Sequence, residues 1–280
     1  MPVDVVNTNL NAKDLVIETK KDKKPNIVIE ALGKEKVEEM KKAVYDESYT
    51  FYDRYNSMAA LILLGEMKIK DIPGYPETID WDLDWWHEWQ ILTDESDSAF
   101  KLNFYQIATS IIARRTFSSS NWSRSENATQ NQEDYNLLKR GVRSYDYEEK
   151  FVSAIAMATC FPYLFSRESE EWKENLKEHL QQVLMSKSAA ADTEACIAYK
   201  LIFPEDNFWR DFYDDIKSER IEALKNKRHS FLALTIYAQY AIYLRLLTAD
   251  RVEITNRGLI VEDTKAQDEQ KDNLPERRKY

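Results

Sequence analysis

Residues Ser230 to Asp263 read SFLALTIYAQYAIYLRLLTADRVEITNRGLIVED. The first half is the most apolar stretch of the chain. Phe231, Leu234, Ala238, Ala241 and Arg245 follow one another at steps of three and four. Leu232, Ile236, Tyr240, Tyr243 and Leu247 form a second such row. Two apolar rows leave almost no polar face, so the spacing predicts a helix inside a bundle. Gln239, Arg245 and the flanking charges make it too short and too interrupted for a membrane span. Downstream, Val252-Glu253-Ile254 alternates, Asn256-Arg257-Gly258 supplies turn chemistry, and Leu259-Ile260-Val261 is apolar. This is a β-hairpin pattern with a three-residue turn ending in Gly258, where glycine tolerates positive φ. An isolated hairpin is marginal, so it needs a partner in this chain or another.

Outward from that stretch the chain reads as mainly α: a multi-helix bundle with short hairpins near both termini and a polar tail. Five Gly, seven Pro and 31% charged residues among 280 favour long helices. A chain of this length buries roughly 75% of its unfolded surface and needs no staples. Leu15-Val16-Ile17-Glu18 and Ile27-Val28-Ile29-Glu30 flank a lysine-rich loop and predict an N-terminal hairpin arm over residues 1–33. Val37, Met40, Val44, Phe51, Tyr55, Met58 and Ile62 predict one long helix over 34–64, with a gap near Ser48, on the order of 45 Å long. A helix over 98–115 follows, closing a helical region at 34–115.

Residues 116–136 are rich in Ser, Asn and Gln and read as a polar loop or internal boundary. A second helical bundle is expected over 137–250, with segments at 147–160, 168–186 and 193–203. Asn207 is a candidate cap for the next segment. The final apolar helix is expected to begin upstream near Ser218. The C-terminal hairpin spans 251–263, and 264–280 is a polar tail whose composition predicts disorder unless a partner holds it.

The net charge of −10 argues against a general nucleic-acid binder. Cys160 and Cys196 sit in apolar helical contexts and read as reduced core residues. The first residues show no basic region followed by an apolar run, so no secretory signal is expected and the localisation reads as cytoplasmic, in a host cell, or virion. Two Asn-x-Ser/Thr matches, at Asn121 and Asn127, read as chance matches in a polar loop.

Two patches suggest interactions. Between Pro76 and Phe100 stand eight acids and no Lys or Arg. Trp81, Trp85 and Trp89 stripe one face there, with Trp86 on another; the pattern is either an aromatic core stripe or a recognition patch. Lys217, Arg220, Lys225, Lys227, Arg228 and His229 form a basic band. It is either a solvated helix face or a contact for the acidic tryptophan segment. Catalytic signatures are missing. Asp84-x-x-His87 with Glu88 has no second pair to complete a carboxylate-bridged metal site. There is no Gly-x-Ser-x-Gly and no clustered glycine loop. No cofactor and no catalytic or metal-ligating residue is expected.

The C-terminal part resembles head–tail connector (neck adaptor) proteins of tailed phages. The residues concerned are the Tyr-rich helix with Tyr237, Tyr240 and Tyr243, then Thr255-Asn256-Arg257-Gly258-Leu259-Ile260-Val261, then the polar tail. The resemblance implies a helical ring subunit whose hairpins and tail reach neighbours. The expected function is accordingly a non-enzymatic assembly or interaction protein, with other protein subunits as partners in a homo-oligomer or larger complex. The interaction residues expected are Trp81, Trp85, Trp86, Trp89, Lys225, Lys227, Arg228, Asn256, Arg257, Gly258 and Leu259. Two alternatives stand beside it: a nucleic-acid-associated protein using the 217–229 band, and a metal-dependent helical enzyme at Asp84, His87 and Glu88.

Overall fold

The computed structural model describes residues 26–72, 104–117, 128–186, 191–227, 229–230, 232–255 and 258–263. These form a helical bundle with one small antiparallel hairpin, as the composition predicts. The helices are α1 (Ile27–Leu32), α2 (Lys34–Tyr45), α3 (Phe51–Leu63), α4 (Phe104–Phe117), α5 (Ala128–Gly141) and α6 (Tyr147–Cys160). They continue with α7 (Pro162–Phe165), α8 (Glu170–Ser186), α9 (Asp192–Ile202), α10 (Arg210–Lys227) and α11 (Leu234–Thr248). Strands β1 (Arg251–Thr255) and β2 (Gly258–Glu262) close the described chain.

Several expectations change. Ile27–Glu30 is not a strand but the start of α1. Asn26 caps it by accepting the Val28 N–H at 2.9 Å, and Gly33 ends it at φ 80°. Val28, Ala31 and Leu32 then share one buried face, so tertiary burial overrides the β-branched run. The partner run Leu15–Glu18 lies outside the described residues. The single 34–64 helix is broken at the gap near Ser48. Asp46 Oδ1 accepts the Ser48 N–H at 3.0 Å, and Thr50 restarts the helix by accepting the Asp53 N–H at 3.2 Å. The polar stretch is shorter than its composition suggests, because Thr116 and Phe117 belong to α4 and α5 begins at Ala128. Helices from both sides of residues 118–127 pack together, α4 against α6. Asp206, not Asn207, is the cap ahead of α10, accepting the Phe208 N–H at 3.0 Å.

The apolar helix starts at Leu234 and does not continue α10. The Tyr237 hydroxyl explains the break: it donates to the Lys227 carbonyl, is 3.2 Å from the Ser230 carbonyl and meets the Ser230 hydroxyl at 2.7 Å. Carbonyls freed at the end of α10 thus find a partner. Residues Ala241 to Leu247 are all buried, in line with the two-row pattern, while Leu232 stands ahead of the helix and is exposed.

Helices α3 and α11 lie side by side in the same direction. At their starts Asp53 Oδ1 accepts the Thr235 N–H at 2.8 Å, and at their ends the Arg245 Nε–H donates to the Leu63 carbonyl at 3.0 Å. Helix α4 starts beside the start of α11, since Tyr105 and Gln106 share one cleft with Ile236 and Gln239. Helix α6 runs in the direction of α4, since the Arg115 guanidinium lies 5.0 Å from the Phe161 ring just beyond the end of α6. Helix α9 ends beside the end of α11, where the Lys200 ammonium caps the Leu247 carbonyl at 2.8 Å and also the Ala249 carbonyl. Five helices therefore begin at one end of the bundle.

The hairpin is held by its own chain. Its register pairs Val252 with Val261, and both pack against the core. Arg245, 5% exposed, sends Nη1–H to the Asp263 carboxylate at 2.7 Å and Nη2–H to the Val261 carbonyl at 3.2 Å. Gly258 faces Thr255 as the first residue of β2, so the connection is two residues long, not a three-residue turn ending in glycine.

Candidate binding site

Five helix N-termini at one end set the local electrostatics. Each terminus carries about +0.5 elementary charge, or about +2.5 in all. The sequence answers with acids in the first turns: Asp53 on α3, Glu148 and Glu149 on α6, and Asp192 and Glu194 on α9. Asp146 caps α6 by accepting the Glu149 N–H at 3.1 Å, and Glu149 accepts the Ser144 hydroxyl at 2.6 Å. Arg220 is drawn to this end and pairs with Asp192 at 2.5 Å.

A cleft of about 270 Å³ opens there between the starts of α4, α6 and α11. Tyr105 and Gln106 form one wall, Asp146, Glu148 and Glu149 the second, and Ile236, Gln239 and Tyr240 the third. Among the described residues no Lys or Arg lines it. The Tyr105 ring packs on Tyr243 at 5.4 Å between centroids, and the Tyr243 hydroxyl is fixed by Thr109. Desolvation raises the Tyr105 phenol well above its usual range, with the Tyr243 charge next in effect, so it stays a neutral donor. Behind the wall, the part-buried Glu194 carboxyl is pushed up to about 7, chiefly by desolvation and further by Glu148 and Asp192, while its own backbone N–H and Arg220 pull it down.

The cleft's rim already holds a cation. The Lys227 ammonium donates to the Tyr240 hydroxyl at 2.9 Å and stands 4.8 Å from the ring centroid. Tyr240 thus offers a face and an oxygen to an ammonium, which is how aromatic rings take cations.

Of the described interaction residues expected from sequence, only Lys227 reaches this site. Lys225 pairs loosely with Glu222, 3.8 Å away on its own helix, and Lys217 with Asp214 at 2.9 Å. Much of the basic band is thus met by carboxylates of the same chain. Gly258 and Leu259 lie in β2. Trp81, Trp85, Trp86, Trp89, Arg228, Asn256 and Arg257 lie outside the described residues, as do Asp84, His87 and Glu88. Among the described residues no group of three His, Cys, Asp or Glu is placed to hold a metal ion. Cys160 and Cys196 are both buried, and burial pushes the Cys196 thiol up to about 12. Sequence reading missed the cleft because its walls lie as far apart in the chain as Tyr105 and Tyr240. The one local signal was Asp146-x-x-Glu149, a capping-box spacing that gathers acids at a helix start.

No protein-family model matches the chain, and neither a curated protein nor a solved structure does. The functional reading rests on the residues themselves.

Proposed function

We propose that this chain is a non-enzymatic interaction protein whose acid–tyrosine cleft receives a basic side chain from a protein partner. What supports the reading is the Lys227 ammonium seated on Tyr240, a residue of a cleft whose described lining has three carboxylates and no Lys or Arg. A guanidinium or ammonium entering there meets carboxylate oxygens, amide oxygens of Gln106 and Gln239, and the Tyr105 ring. These are the groups that recognise Arg and Lys. The test is calorimetric binding of a synthetic arginine–lysine hexapeptide to the whole protein at about 0.05 M salt, where screening is weak. Binding that Glu148→Gln weakens severalfold supports the reading; equal affinity for a neutral hexapeptide of the same length sinks it.

Assembly with further subunits, including the connector role implied by the C-terminal resemblance, belongs to the same class of function. What favours it is the hairpin: among the described residues its two strands pair only with each other, and an open strand edge is where a neighbouring strand adds.

A further inference from the structure

We infer that the corner between α5 and α6 is a self-association surface, on which a second copy of this chain docks about a two-fold axis. The inference rests on the assembly reading above and gives it a surface and a partner. Its centre is Tyr145, which is 102% exposed and takes part in no hydrogen bond or ring contact among the described residues. The other described tyrosines exposed by more than half are engaged. Tyr45 donates to the Asp71 carbonyl at 3.1 Å, and Tyr163 lies 4.0 Å from the Arg167 guanidinium. Tyrosine is among the side chains that most often anchor protein interfaces. Two residues on, Tyr147 is 46% exposed, with its ring stacked on Phe151 at 5.8 Å between centroids.

The corner presents these rings on a fixed backbone. The Ser144 N–H donates to the Gly141 carbonyl at 2.9 Å. The Ser144 hydroxyl donates to Glu149 at 2.6 Å and accepts the Asp146 N–H at 3.2 Å. Gly141, just ahead of the turn, has no room for a Cβ against Ser153 and Phe104, so the turn is pressed onto α6 and α4. A backbone fixed before binding adds no ordering cost when a partner arrives.

The charges around the tyrosines select the partner. Arg140 and Arg143 stand exposed on the N-terminal side, and neither is in an ion pair among the described residues. Asp146 and Glu148 stand exposed on the C-terminal side, also without an ion pair among the described residues. A wholly acidic or wholly basic partner satisfies one half and is repelled by the other. A second copy turned by a half-rotation about Tyr145 sets its Arg143 against Glu148 and its Glu148 against Arg143. That is the self-complementarity a two-fold contact requires. The two tyrosines cover about 300 Å² in each copy, and the four charged side chains raise this to the about 500 Å² per copy of a small specific interface. Such a contact is weak, with a Kd on the order of 10 µM.

Sedimentation velocity of the full chain at about 0.05 M salt should show a monomer–dimer equilibrium that weakens severalfold at about 0.5 M. Tyr145→Ala, Arg143→Glu and Glu148→Arg should each weaken the dimer at least about tenfold and leave the far-ultraviolet circular dichroism unchanged. An equimolar mixture of the Arg143→Glu and Glu148→Arg proteins should dimerise again, because the two altered surfaces complement each other. Loss in the single variants without recovery in the mixture overturns the two-fold pairing. A dimer indifferent to all three substitutions leaves assembly standing and overturns the corner as its surface. A chain that stays monomeric at about 0.2 mM, well above the expected Kd, overturns the inference. If Glu148→Gln still weakens hexapeptide binding in that monomer, the acidic half serves a foreign basic partner instead.

Discussion

Arg245 Nη1 and the Asp263 carboxylate meet at 2.7 Å, yet the two ends of this ion pair live in different solvents: the Asp263 side chain is 59% exposed, the Arg245 side chain 6%. The pair's weight therefore falls on one partner. Arg245→Leu loses donors to the Leu63 and Val261 carbonyls as well as to Asp263, and orphaned acceptors of this kind cost about 1–3 kcal/mol each. Asp263→Asn removes only an exposed contact, worth under about 1 kcal/mol. Urea denaturation of the two variants should show a loss at least twice as large for Arg245→Leu. Hydrogen exchange should show the β1–β2 amides opening in that variant alone. Equal losses would mean that the hairpin is not anchored through the arginine.

Gly141 closes α5 where three helices crowd. A Cβ there would collide with the Ser153 hydroxyl on α6 and come within 3.0 Å of the Phe104 ring on α4. Gly141→Ala in an unhindered helix would stabilise; here overpacking reverses the sign, at a cost of about 1–3 kcal/mol. Pairing it with Ser153→Ala should recover much of the loss, because the hydroxyl is the nearest obstacle. Thermal melts of the single and double variants check this, and a neutral single variant would contradict the close approach.

Glu194 makes stability depend on pH in an unusual sense. Its folded carboxyl is raised to about 7, above the ordinary carboxylate value of 4.5, so the folded state binds the proton more tightly than the unfolded one. Stability from this group is full below about 4.5 and falls as pH rises towards 7, by up to ~3 kcal/mol. Glu194→Gln keeps the neutral shape and should be the more stable protein at pH 8. Its advantage over the unaltered protein should shrink to nothing near pH 4. An advantage that does not vary with pH would show that burial is not what raises the group.

The helices were legible where one face is buried by regular spacing. Leu176, Leu180 and Val183 on α8, and Leu234, Ala238, Ala241 and Arg245 on α11, lie inside as their steps of three and four require. The misreadings have local causes. Ile27–Glu30 carries β-branched residues that favour a strand in isolation, but Asn26 and Gly33 supply both caps of a short helix and the bundle buries its Val28 face. The apolar seam from Val37 to Ile62 runs past Asp46 because periodicity senses a face and not a backbone hydrogen bond; the Asp46 and Thr50 side chains break the helix without disturbing the face. The cleft was hidden for a different reason. Tyr105, Glu148 and Tyr240 become neighbours only when three helices start at the same end, and a shared direction has no signature in any one segment.

The bonds from Asp53 to Thr235 and from Leu63 to Arg245 each join residues 182 positions apart. On a ribosome making about 5–20 residues per second, α3 leaves roughly 10–40 s before the helix that covers it. During that interval α2 and α4 can already pack on α3, but the side that α11 covers stands open. The nascent chain thus carries a partly open apolar surface until α11 emerges. A premature stop anywhere before α11 would release a product with the α11-facing side of α3 bare, a substrate for chaperones and proteases.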